Sequence, residues 1–85
     1  MRSIPLYIET TEEHFGDMCQ PEDRGKIIVV VIDPQEHTSY AGFGVTLAEA
    51  MRAFAECLEE HCEWNSADEK LDDFIIRRFG EAGSK

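Results

Sequence analysis

The periodicities of this chain predict an α+β fold: a three-stranded antiparallel sheet packed by one long helix and followed by a second, shorter C-terminal helix, in the order β-β-β-α-α. Three observations lead there. An unbroken β-branched run, Ile27 to Ile32, is closed by Gly25 on one side and Asp33-Pro34 on the other, which reads as a central strand buried on both faces. Shorter alternating stretches flank it. From Leu47 onward, apolar and acidic residues separate onto opposite sides of a helical wheel.

Taken in order, Ser3–Glu9 alternates Ile4, Leu6 and Ile8, and Pro5 suits an edge strand better than a central one. Thr10-Thr11-Glu12-Glu13 resembles a capping box, which opens either a helical turn through Met18 or a loop; Gly16 and Pro21 stop it. The central strand spans Lys26–Asp33. After a turn at Pro34 to His37, Thr38–Gly44 places Ser39, Ala41 and Phe43 on one face and Tyr40 and Gly42 on the other, as a third strand does. Thr46-Leu47-Ala48-Glu49 is a second capping box and begins a helix from Leu47 to Trp64. Leu47, Met51, Phe54, Leu58 and Cys62 form its packing side. Glu49, Arg52, Glu56, Glu59, Glu60 and Glu63 fall within an arc of roughly 100° on the other side at 100° per residue. Ser66-Ala67-Asp68-Glu69 caps a last helix, Ala67–Phe79, with Leu71, Phe74, Ile75 and Phe79 inward, Arg77 and Arg78 in its last turn, and Gly80 at its end. Residues 1–80 make one domain, and 81–85 are a small, polar, flexible tail.

Charge narrows the kind of partner. Eighteen acids against eight bases give a net charge of −10 on 85 residues. Eight of the acids lie between Glu9 and Glu36, against only Arg24 and Lys26, and nine between Thr46 and Asp73, against only Arg52 and Lys70. Such a chain repels nucleic acid and anionic membrane and is drawn to basic protein surfaces. No apolar run reaches the roughly 20 residues of a membrane span, and the start Met-Arg-Ser-Ile-Pro-Leu-Tyr lacks a secretory pattern. A cytoplasmic protein is expected. Its three cysteines fit reduced thiols, since Cys57 and Cys62 point about 140° apart on a helix.

On the long helix, Glu56, Glu59, Glu60 and Glu63 form a row that Asp68, Asp72 and Asp73 continue. A helix that merely faces solvent interleaves lysine with glutamate, whereas here Arg52 stands alone. Uncompensated repulsion points to a row that imitates a phosphate backbone. Trp64, at the junction of the two helices, and Ile76, opposite Leu71 and Phe74, are the candidate exposed apolar anchors beside it. Other constellations are weaker. Cys57 and His61 at i,i+4, with Cys19, His14 or His37, lack a second short-spaced ligand pair, so neither metal nor cofactor is expected. In His37-Thr38-Ser39-Tyr40 nothing sets a nucleophile against a base, and Gly42-Phe43-Gly44 lacks the lysine and third glycine of a phosphate loop. The chain reads as non-enzymatic.

The passage Gly44-Val45-Thr46-Leu47-Ala48-Glu49-Ala50 resembles the strand-to-helix junction of HicB-type antitoxin domains, whose Gly-x-Thr-x-x-Glu-Ala pattern opens the main helix. That resemblance implies a three-stranded sheet backed by a helix and a partner that is a small basic toxin ribonuclease. The Pro-x-x-Pro-Gly-Cys-like segment which that family places before its helix is missing. The same passage is similar to double-stranded RNA-binding domains, yet Leu47, Ala48 and Glu49 stand where those carry phosphate-binding lysines, so direct nucleic-acid binding is not expected. In size, acidity and lack of a catalytic motif the chain is also similar to phage-encoded anti-defence inhibitors, anti-CRISPR proteins among them. The expectation is an inhibitor, monomer or homodimer. It would present Glu49, Glu56, Glu59, Glu60, Glu63, Trp64, Asp68, Asp72, Asp73 and Ile76 to the basic surface of a nucleic-acid-binding protein. A HicB-like antitoxin is the alternative, and a third is an adaptor that self-associates through a seam of Ala50, Ala53, Cys57 and Trp64.

Overall fold

The computed structural model describes residues 6–33 and 36–80. The expected strand start at Ser3, the turn residues Pro34 and Gln35, and the tail 81–85 lie outside the described residues. Within them the order is β1 (Leu6–Thr10), α1 (Thr11–Phe15), two 3-10 turns (Gly16–Met18 and Pro21–Asp23), β2 (Ile27–Asp33), β3 (Thr38–Gly44), α2 (Leu47–His61) and α3 (Leu71–Phe79). The fold is α+β, with an antiparallel sheet ordered β1-β2-β3.

The Thr10 box does open a helix. The Glu13 amide donates to Thr10 Oγ1 at 3.1 Å and the Thr10 amide to Glu13 Oε1 at 3.0 Å, and Gly16, at φ 58°, ends the turn. The buried Thr11 hydroxyl then ties this corner to the carbonyls of Asp23 and Lys26, closing the long connection onto the start of β2.

The sheet register pairs Tyr7 with Val30 and Val30 with Ala41 across one face, and Ile8 with Val29 and Val29 with Gly42 across the other. The second face holds the main core: Val29 and Val31 packed with Ala50, Phe54, Leu58, Trp64, Phe74, Ile75 and Phe79. On the first face Ile28 and Val30 are buried, but Ile32 stays 50% exposed, so β2 is not covered on both faces along its whole length.

What fixes α2 on the sheet is the absence of side chains at two positions. A β-carbon on Gly42 would lie 2.0 Å from the Phe54 amide nitrogen and 2.5 Å from the Ala53 carbonyl carbon, and one on Gly44 would lie 2.5 Å from Glu49 Cβ. The helix therefore rests on β3 backbone to backbone. That contact turns its buried line to Ala50, Phe54 and Leu58, leaving Met51 and Cys62 half-buried. Leu47, expected on the packing side, is 44% exposed because it begins the helix where β3 has ended.

Both helices are shorter than their patterns suggest. α2 stops at His61, where the Cys62 amide caps Leu58 O and Glu63 adopts φ 57°. The reversal swings Trp64 inward. Its ring stacks on Phe74 at 5.8 Å and its Nε1–H donates to Glu69 O at 3.0 Å. The Ser66 box does not start a helix. Asn65 organises a turn instead, accepting the amides of Asp68 and Glu69 on its carbonyl and that of Ala67 on Oδ1. α3 begins four residues after the expected Ala67, at Leu71. Its far end is anchored by Arg78, whose Nη2 lies 2.9 Å from Asp33 Oδ2, a carboxylate with only 1% of its side chain exposed.

Two substitutions test this framework by urea denaturation. Gly42→Ala should cost about 3 kcal/mol or more, because backbone rather than a flexible side chain must yield. Arg78→Ala should cost about 3 kcal/mol by removing the guanidinium paired with the buried Asp33 carboxylate. Either protein denaturing at the wild-type midpoint would contradict the packing described.

Candidate partner-binding surface

Rotating α2 so that Ala50, Phe54 and Leu58 meet the sheet leaves Glu56, Glu59 and Glu60 in solvent. Glu49 is exposed too, but its carboxylate is engaged: Thr46 Oγ1 accepts the Glu49 amide at 3.2 Å, and Glu49 Oε1 accepts the Val45 amide at 3.1 Å. The box thus reaches one residue further back than its usual form. Gly44, Thr46, Glu49 and Ala50 all have structural work here, as close contact, cap, return cap and buried contact.

The turn after α2 joins the row. Glu59 accepts the Ser66 hydroxyl, and Asn65 Nδ2 donates to Asp68 Oδ2 at 2.8 Å. Glu63 follows the helix in left-handed backbone and is exposed, while Asp72 and Asp73 occupy the exposed first turn of α3. Among the described residues, His14 lies 3.5 Å from Glu9, and ion pairs with lysine or arginine neutralise Asp23, Asp33, Glu36 and Glu69. None reaches Glu56, Glu59, Glu60, Glu63, Asp68, Asp72 or Asp73. Glu59 and Glu60 moreover sit in the last turn of α2, where the helix dipole disfavours anions.

The apolar anchors are corrected. Trp64 is 9% exposed and belongs to the core, and Ile76 is half-buried. Of the seam expected for self-association, Ala50 is fully buried and Trp64 nearly so, while Ala53 and Cys57 are half-buried. Among the described residues, the exposed large apolar groups lie elsewhere, at Tyr7, Ile8, Phe15, Met18, Ile32, Phe43, Val45 and Leu47.

Arg77 and Arg78, expected only to suit the helix dipole, do more. Arg77 clamps Glu69 with two bonds of 2.9 Å, and Arg78 spans Asp33 and Glu36. No local pattern announces a pair 45 residues apart in sequence. A cleft of about 400 Å³ beside them is lined by Tyr40, His61, Cys62 and Glu63 among others. Burial pushes the Cys62 thiol up, the opposite of what activates a cysteine nucleophile. His37, at φ 55°, borders a shallow depression with Ile32, Thr38 and Ser39, and no hydrogen bond joins it to Ser39 among the described residues. Among those residues, no three His, Cys, Asp or Glu side chains come together as a metal site. The three cysteines are free, and no described helix is long and apolar enough to cross a membrane. Comparison with family models, characterised proteins and solved structures finds no match.

Two measurements check the electrostatics. Glu60→Lys should stabilise the isolated protein by about 0.3–1 kcal/mol, since it removes an anion from the helix C-terminus and gains a partner in Glu56; a lower melting temperature would contradict this. The Arg77 hydrogen bonds hold Glu69 below its ordinary 4.5, and the Gly25 amide does the same for Glu12. Folded carboxylates with depressed values add stability above 4.5 that is lost as pH falls through the folded values. Cys62 and Tyr40 are raised by burial above 9.0 and 10.0, so stability is also lost as pH rises past those ordinary values. The urea midpoint should therefore fall off outside 4.5 to 9.0, with Glu69→Gln flattening the acid limb; an acid limb unchanged by that variant would contradict it.

Proposed function

We propose that this protein is an inhibitor that binds the basic, nucleic-acid-binding surface of a partner protein through the acids of α2 and the segment that follows it. One observation carries the reading: Glu56, Glu59, Glu60 and Glu63 stand exposed with no ion pair among the described residues, two of them at a helix end that disfavours them. Compensation was within reach. Arginines occur just downstream, but they are spent on Glu69, Asp33 and Glu36. Repulsion kept at some cost to stability is what a surface built to meet positive charge requires. Occlusion of nucleic acid is the mechanism.

A HicB-like antitoxin is a second reading of the same surface, favoured by the Gly44–Ala50 passage at the junction of β3 and α2. It differs in its target, a small basic ribonuclease bound tightly and stoichiometrically.

Partner capture with the tagged chain tests the proposal. The expected result is a basic nucleic-acid-binding protein that is released by raising salt, since screening shortens the reach of charge to about 8 Å at physiological ionic strength. It should also be released by competing nucleic acid and be absent when Glu56, Glu59, Glu60 and Glu63 are all changed to Lys. Undiminished capture by that variant would overturn the proposal.

A further inference from the structure

Among the described residues β1 is an edge strand whose core face is covered only in part, with Leu6 packed against the core and Ile8 left open. α2 packs on β3 and, to a lesser extent, on β2, so the helical layer leaves Ile8 56% exposed on the core side of the sheet while Tyr7 is 53% exposed on the other. Natural edges are usually blunted by lysine, proline or a bulge. Leu6–Thr10 contains no lysine or proline, and its register with β2 runs without interruption. Its single acid, Glu9, already faces His14 at 3.5 Å, so the strand offers little to a basic chain. We propose that β1 pairs antiparallel with β1 of a second copy, joining two sheets into one of six strands.

The strand is self-complementary about Ile8. A two-fold axis there sets Ile8 against Ile8 of the second copy, Leu6 against Thr10, and Tyr7 against Glu9. The two exposed aliphatic chains meet on the core side, each aromatic ring covers the other copy's Glu9 stem, and no like charges stand directly opposite. An axis perpendicular to the sheet keeps both helical layers on one side. The two α2 helices, each seated over β3, then lie five strand spacings apart, roughly 24 Å. That exceeds the screening length of about 8 Å, so two chains of −10 can associate. The dimer carries two acidic rows facing the same way. The proposal stands whether or not those rows bind a partner.

Light scattering on the full chain across a concentration series tests it. The expected mass is twice the 9.7 kDa of one chain at high concentration. Ile8→Lys, which opposes two lysines across the axis, should be monomeric with an unchanged circular dichroism spectrum and melting curve beyond the loss of dimerisation. Mixing it with Ile8→Glu should restore the dimer, a rescue that a merely destabilised fold would not show. Ile32→Lys, on the open face of the sheet, should remain dimeric. A wild-type chain monomeric at every concentration, or a dimer abolished by Ile32→Lys and indifferent to Ile8→Lys, would overturn the proposal.

Discussion

The arrangement of this small protein depends on how closely α2 approaches β3. With the Phe54 amide and the Ala53 carbonyl carbon sitting where a Gly42 β-carbon would be, the helix lies closer to the sheet than any side chain at that position would allow. Ala50, Phe54 and Leu58 become the buried line. Because the wheel is rigid, the same contact decides which residues face solvent, and those are Glu56, Glu59 and Glu60. An acidic surface is thus set in place by two glycines on the opposite side of the helix.

A second constraint closes the structure at its far end. The left-handed Glu63 reverses the chain, Trp64 enters the core, and its indole takes the Glu69 carbonyl, while Arg77 holds the Glu69 side chain. Arg78 then ties α3 to the buried Asp33 at the end of β2. Arg77 and Arg78 are thus used to hold elements together, while the acids of α2 are left facing outward.

Much of this was legible in the chain. The β-branched run gave β2, the alternation of Thr38 to Gly44 gave β3 with the correct faces, and the Thr10 and Thr46 caps marked the starts of α1 and α2. Their signals are local, written within a few residues. What was hidden depends on contacts across the chain. Gly42-Phe43-Gly44 looked like the remnant of a phosphate loop, yet its glycines answer to the backbone of α2, at Ala53 and Phe54 for Gly42 and at Glu49 and Ala50 for Gly44. Ser66 looked like a cap, but its hydroxyl goes to Glu59, and Trp64, placed at the surface by its position beside charge, is drawn inward by Phe74. The capping role of Glu49 was legible in the Thr46 box; that its carboxylate reaches back to Val45 and that Glu63 leaves the helical row were not.

In the proposed function, the acids of α2 and its following turn, rather than the acidity of the chain at large, form the surface that recognises positive charge. Titrating the isotopically labelled protein with an arginine-rich RNA-binding peptide and following amide chemical shifts tests it most directly. Perturbations should concentrate at Glu56 to Glu60 and from Glu63 to Asp73 and be suppressed by salt, with the acids of Glu12 to Asp23 little affected. A footprint centred on Glu12 to Asp23, or spread evenly over every exposed acid, would contradict it.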